Sequence, residues 1–152
     1  MKVDKIKLII TEIICALLIL LFVYTGSSKL MEGERFRIVL SQSPLIGAFA
    51  GIVSIGIPVA ELATAALLFF PVTMKWGLIA SVSFMLLFTI YVGYMIAFTP
   101  HLPCSCGGVI KKLTWREHLV FNLFFTAVAA GGLWLQRRNK VLVLQYQGKL
   151  KT

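Results

Sequence analysis

The run LIGAFAGIVSIGIPVAELATAALLFF, from Leu45 to Phe70, decides the fold. A helix rises 1.5 Å per residue, so about 20 apolar residues cross the roughly 30 Å hydrocarbon core of a bilayer. This run is longer than that, and Glu61 is its one ionisable residue. Small residues recur along it, among them Gly47, Ala48, Gly51, Ser54, Gly56 and Ala60. They let helix backbones approach closely where lipid removes the hydrophobic force between helices. The run therefore reads as a membrane span packed inside a bundle, bent at Pro58. A charged, unpaired carboxylate at mid-span is costly. Glu61 must face the bundle interior, be paired or carry a proton. It is either a proton or cofactor contact, or one half of an internal hydrogen bond or ion pair, with Lys29 as a partner.

Three more runs of this kind lie on either side, at about 6–24, 76–98 and 118–135. The chain has 152 residues, 59% of them hydrophobic and 14% charged, against about 25% charged in a soluble domain. So few charges do not cover so much apolar surface in water. The expected architecture is all-α: a single four-transmembrane-helix bundle, with a short basic tail over 136–152. The basic start and apolar centre of the first run resemble a signal peptide. No small-x-small cleavage site follows it, however, and further long apolar runs do, which favours a retained span. The net charge of +9 does not point to nucleic acid. The basic residues sit between the runs and at the termini, without an aromatic-basic stripe.

The connections carry the remaining signals. Thr25 to Leu30 reads as a polar linker. Over Met31 to Ser43, Phe36, Ile38, Val39 and Leu40 alternate with Glu34, Arg35 and Arg37, which fits either a short interfacial helix or a surface loop. Pro44 marks a restart. Tyr91 and Tyr94 read as interfacial anchors. Thr114 and Glu117 form a capping box that starts the last helix. His118 and Asn122, four apart, share one helical face and should point into the bundle. In the tail, Val141, Val143 and Gln145 alternate with Leu142, Leu144 and Tyr146, leaving a strand open there.

Four spans put both termini on one side of the membrane. Nine of the 15 Lys and Arg lie on that side, counting the N-terminus, the Lys75 turn and the tail, and six lie on the other. Positive charge favours the cytoplasm, so the connection after Phe98 is expected outside, where disulfides persist. That connection holds Pro103-Cys104-Ser105-Cys106-Gly107-Gly108. A Cys-x-Cys pair cycles between dithiol and disulfide, supplies two ligands to a soft metal, or forms a static disulfide. Closing so short a loop removes little chain entropy and strains the bond, and a strained, exposed disulfide is labile. A metal needs further ligands. His101 is a third, and no fourth is evident. Gly107 and Gly108 keep bulk away from the sulfurs.

Cys15, inside the first run, reads as a small buried hydrophobe. A relay of thiols through the membrane wants paired intramembrane cysteines, and Cys15 is alone. Electrons then pass through a lipid-soluble carrier such as a quinone, or through another protein's thiols. No motif proves a quinone site. Glu61, His118 and Asn122 are the polar groups available to line one.

At this point the chain resembles the MauE/DoxX superfamily, and within it the MauE-like branch, from about Tyr24 to Ala130. Gly26, Lys29, Phe36 and Ser43-Pro44 are similar to the pattern after the first helix, and Pro58 with Glu61 to the Pro-x-x-Glu of the second. Cys104-Ser105-Cys106-Gly107 resembles the Cys-x-Cys-x-Gly element, and Trp115 with Asn122 the start of the last helix. Ser105 stands where Gly is frequent, and Gly108 where an aromatic is. The resemblance implies a redox-associated bacterial inner-membrane protein beside a thioredoxin-like partner, the MauE branch being linked to maturation of a disulfide-rich dehydrogenase subunit. The expectation is a membrane thiol-disulfide redox protein with Cys104 and Cys106 as its periplasmic pair. Against it stand a non-catalytic scaffold that docks a partner, and metal handling through the same loop.

Overall fold

The computed structural model describes residues 2–98 and 114–149, with side chains over 6–98 and 114–137. Among these described residues it has five α-helices in the order α1 (Lys2–Met31), α2 (Gly33–Ser41), α3 (Ala50–Phe69), α4 (Met74–Phe98) and α5 (Trp115–Lys149), with a 3₁₀ turn over Gly47–Phe49 leading into α3. Among the described residues, four helical stretches are long and apolar enough to cross a membrane: Ile6–Met31, Gly47–Phe69, Met74–Phe98 and Trp115–Arg137. The expected all-α four-span bundle is what the chain forms.

The spans close a ring in which α1 packs on α3, α3 on α4, α4 on α5 and α5 back on α1. Direction alternates. Near one end, Cys15, Leu18 and Phe22 of α1 meet Ala65 and Leu68 of α3, Leu78 of α4 and Ala129 of α5. Near the other, α1 and α4 finish while α3 and α5 begin. Large apolar side chains such as Leu20, Ile52, Ile90 and Val120 face outward from all four spans, as lipid contact requires.

Close packing has a visible cause at two glycines. A Cβ on Gly26 would lie 3.1 Å from the Pro58 carbonyl oxygen, and one on Gly77 would lie 2.8 Å from the Leu68 backbone nitrogen. The first lets α1 approach α3, and the second lets α4 approach α3. Hydroxyls inside the spans return to their own helix: Thr64 donates to the Ala60 carbonyl at 2.8 Å, Ser81 to Gly77 at 2.7 Å and Thr89 to Met85 at 2.7 Å. Each is thereby satisfied without water.

One expectation from the sequence changes, and two choices left open are settled. Thr25 to Leu30 is not a linker, because α1 continues to Met31. Its polar residues are tolerated because Thr25 is buried and donates to the Phe22 carbonyl at 3.4 Å, while Lys29 pairs across to α3. The choice left open over Met31 to Ser43 resolves to a helix, α2, whose Phe36 and Leu40 pack on Ala50, with Ile46 and Val53 beside them. The alternating tail is helical as far as Lys149. A lone strand would leave its backbone groups unpaired, whereas a helix satisfies them internally.

Candidate functional site

The end of the bundle where α1 and α4 finish encloses a cavity of about 290 Å³. Its walls are mostly apolar, with Leu21 of α1, Phe36 and Leu40 of α2, Val53 of α3, Phe88 of α4 and Phe121 of α5. Six polar residues among those described break that lining: Thr25 and Lys29 from α1, Glu61 from α3, Tyr91 from α4, and His118 and Asn122 from α5. Glu61, His118 and Asn122, separate in the sequence, are thus brought to one place. Tyr91 lines the same cavity, while Tyr94 lies against Phe98 with ring centroids 5.0 Å apart.

Lys29 and Glu61 form an ion pair through Nζ and Oε1. The Lys29 ammonium also lies 4.8 Å from the Phe88 ring centroid and 5.9 Å from that of Phe36, within reach of the negative ring faces. Glu61 is 1% exposed and Asn122 4%. Burying two charges costs roughly as much as their attraction returns. The pair is therefore no simple source of stability, and its position inside a cavity draws attention to ligands.

Two atoms strengthen that point. Glu61 Oε2 and Asn122 Nδ2 are buried and have no hydrogen-bond partner among the described residues. Thr25 lies close to Glu61, but its hydroxyl donates to the Phe22 carbonyl. An orphaned acceptor and an orphaned donor in the lining of one cavity are unusual, because such groups are nearly always paired. The carbonyl of Asn122 is paired. It accepts from Thr126 Oγ1 at 2.7 Å, and Thr126 meets Thr89 of α4 at 3.4 Å.

The start of α5 is fixed by the expected capping box. Thr114 N donates to Glu117 Oε2 at 2.8 Å, and Glu117 N donates to Thr114 Oγ1 at 3.4 Å. With the first turn set, His118 and Asn122 fall on the inward face. His101, Cys104 and Cys106 lie outside the described residues, so the thiol pair and the three-ligand metal set have no geometry here. Among the described residues no three His, Cys, Asp or Glu side chains gather as metal ligands would. Cys15 is buried in the core at the opposite end.

The sequence singled out Glu61, His118 and Asn122, all of which line the cavity, but not Thr25 or the α2 wall. The signals were present. Thr25 and Lys29 are four apart, as are Phe36 and Leu40, and each pair shares a helical face.

Fold and site together define a multi-pass helical membrane protein with a polar site inside its bundle. The family described as methylamine utilisation protein MauE matches residues 7–135, and the chain belongs to that family. The family's description ties its members to methylamine utilisation. No curated protein and no solved structure matches the chain.

Proposed function

We propose that the protein is a thiol-disulfide redox protein of the bacterial inner membrane, using Cys104 and Cys106 on the periplasmic side to exchange disulfides with a thioredoxin-like protein or a disulfide-containing client. One observation carries the reading. The segment bearing the two cysteines leaves α4 at Phe98 and enters α5 at Trp115, and the adjoining parts of both helices, with Tyr91, His118 and Asn122, line the polar cavity. The thiols are tethered to the end of the bundle that holds its buried charges. MauE membership and the excess of Lys and Arg on the opposite side support the same placement.

The chemistry is an exchange in which no electrons are lost. A partner thiolate attacks one sulfur of the Cys104–Cys106 disulfide and forms a mixed disulfide. The partner's second thiol then attacks its own bridged sulfur, leaving the partner oxidised and the Cys104–Cys106 pair reduced. The reverse sequence runs by the same steps, and the relative potentials of the two pairs set the direction.

Differential alkylation in intact membranes tests this. Cys104 and Cys106 should be alkylated after reductant and protected after oxidant. A Cys104→Ser or Cys106→Ser variant should trap a mixed disulfide with its partner. If the two thiols never change state and the double serine variant keeps full function, exchange is excluded and a docking role for the loop takes its place.

A further inference from the structure

We infer that the cavity between α1, α3, α4 and α5 binds the head group of a lipid-soluble quinone, with Asn122 and Glu61 as its polar contacts. The inference deepens the thiol-exchange reading by naming where that pair's electrons go, but binding itself does not depend on the cysteines.

Size and access come first. An apolar cavity of roughly 150 Å³ takes up benzene, so about 290 Å³ has room for a substituted or fused ring. Leu87 forms part of the wall and is itself 64% exposed, so the cavity reaches the outer surface of the bundle. That surface faces lipid, and the ligand is one that partitions there. Phe36, Phe88 and Phe121 give the walls aromatic character suited to a flat ring.

The polar groups narrow the class. Glu61 Oε2 is an acceptor and Asn122 Nδ2 a donor, both buried and unpartnered among the described residues. An acyl chain would leave both unpaired, which is costly in an apolar setting. A carboxylate or phosphate would meet the Glu61 carboxylate. A quinone ring presents carbonyl acceptors, which become hydroxyl donors when it is reduced. In the oxidised form a carbonyl accepts from Asn122 Nδ2, and in the reduced form a hydroxyl donates to Glu61 Oε2. Lys29 is the one Lys or Arg among the described lining residues. Its ammonium stands beside the place where negative charge gathers as electrons arrive on the ring oxygens, a placement that favours reduction.

Coupled to the thiol pair, the reaction balances. Cys104 and Cys106 lose two electrons and two protons and form one S–S bond. The quinone gains both electrons and both protons and leaves as the quinol. Cys15, the free thiol among the described residues, is buried in the core at the other end, so no second thiol pair competes for this role there.

Calorimetric titration of decylubiquinone into the full chain in lipid nanodiscs tests the site. The expected result is one saturable site beyond partition into empty nanodiscs. Asn122→Leu, near-isosteric and without a buried donor, should keep its thermal stability and bind about tenfold more weakly. Val53→Trp, which fills the cavity, should abolish saturable binding, and Ile52→Ala, on the outer face, should leave it unchanged. Absence of saturable binding to the wild type overturns the proposal, as does wild-type affinity in folded Asn122→Leu. The Cys104→Ser/Cys106→Ser double variant separates the two readings. If it binds normally while the wild-type thiols prove inert in alkylation, the exchange reading fails and the quinone site stands.

Discussion

The two ends of the bundle solve opposite problems. At the end holding Cys15, the interior is filled. Leu18, Phe22, Leu68, Leu78 and Ala129 pack together, and glycine lets backbones meet, with a Cβ on Gly77 only 2.8 Å from the Leu68 nitrogen. At the end holding Glu61, the same four helices leave about 290 Å³ unfilled and line it with a charge pair and two polar atoms unpaired among the described residues. Lipid offers no hydrophobic force between helices, so packing and polar contacts must hold them. The first end relies on packing. The second gives up packing and sets its polar groups in the cavity wall, an arrangement that makes physical sense where something is to be bound.

The largest effect should come from splitting the charge pair. Glu61→Leu leaves the Lys29 ammonium buried without its carboxylate, and Lys29→Met leaves the carboxylate. Each should destabilise the bundle by about 3–5 kcal/mol, read as a fall in thermal unfolding temperature in detergent. The Lys29→Met/Glu61→Leu double variant should recover most of that loss, because two apolar side chains replace two paired charges. Recovery of stability without recovery of redox activity would assign the pair to function. If the single variants are as stable as wild type, the pair is not buried as described and the contrast between the two ends collapses.

A smaller effect tests the filled end. Gly77→Ala places a methyl against the Leu67 and Leu68 backbone, neither of which yields easily, and should cost about 1–3 kcal/mol. Gly51→Ala, where nothing lies within 4 Å, should instead stabilise α3 by about 0.5–1 kcal/mol. Opposite signs for one chemical change, measured in the same unfolding assay, would show that glycine serves close approach in one place and not in the other.

Much of this contrast was legible in the chain. Length and apolarity set the four spans, because a bilayer leaves few alternatives to a helix. The cost of a mid-span carboxylate marked Glu61 and suggested Lys29 before any geometry was known. The spacing of His118 and Asn122 put both on the cavity face. What escaped was direction. Thr25, Ser27, Ser28 and Lys29 read as a linker because polarity alone does not tell an inward polar face from a water-exposed segment. The spacing of Phe36 and Leu40 marks a shared helical face, but that α2 folds this face back onto α3 is a tertiary contact the spacing does not give. The tail's alternation suggested a strand, but a helix continued from α5 satisfies its own backbone.

The smallest effect concerns how the cavity end is held in register. Thr114 and Glu117 exchange hydrogen bonds that define where α5 begins, and His118 N donates to the Thr114 carbonyl at 3.0 Å. Thr114→Ala removes the cap hydroxyl but leaves the backbone carbonyl in place. The first-turn amides should then exchange with solvent deuterium about fivefold faster, with little change around Ala129 in the filled end. His118, one turn into the helix, should feel that fraying more than Asn122, whose carbonyl is held by Thr126. A Thr114→Ser variant keeps the hydroxyl and should restore the slow exchange. If Thr114→Ala leaves first-turn exchange unchanged, packing of α5 against α1 and α4 sets its start without the cap. The placement of His118 would then depend on the bundle rather than on the residues that precede it.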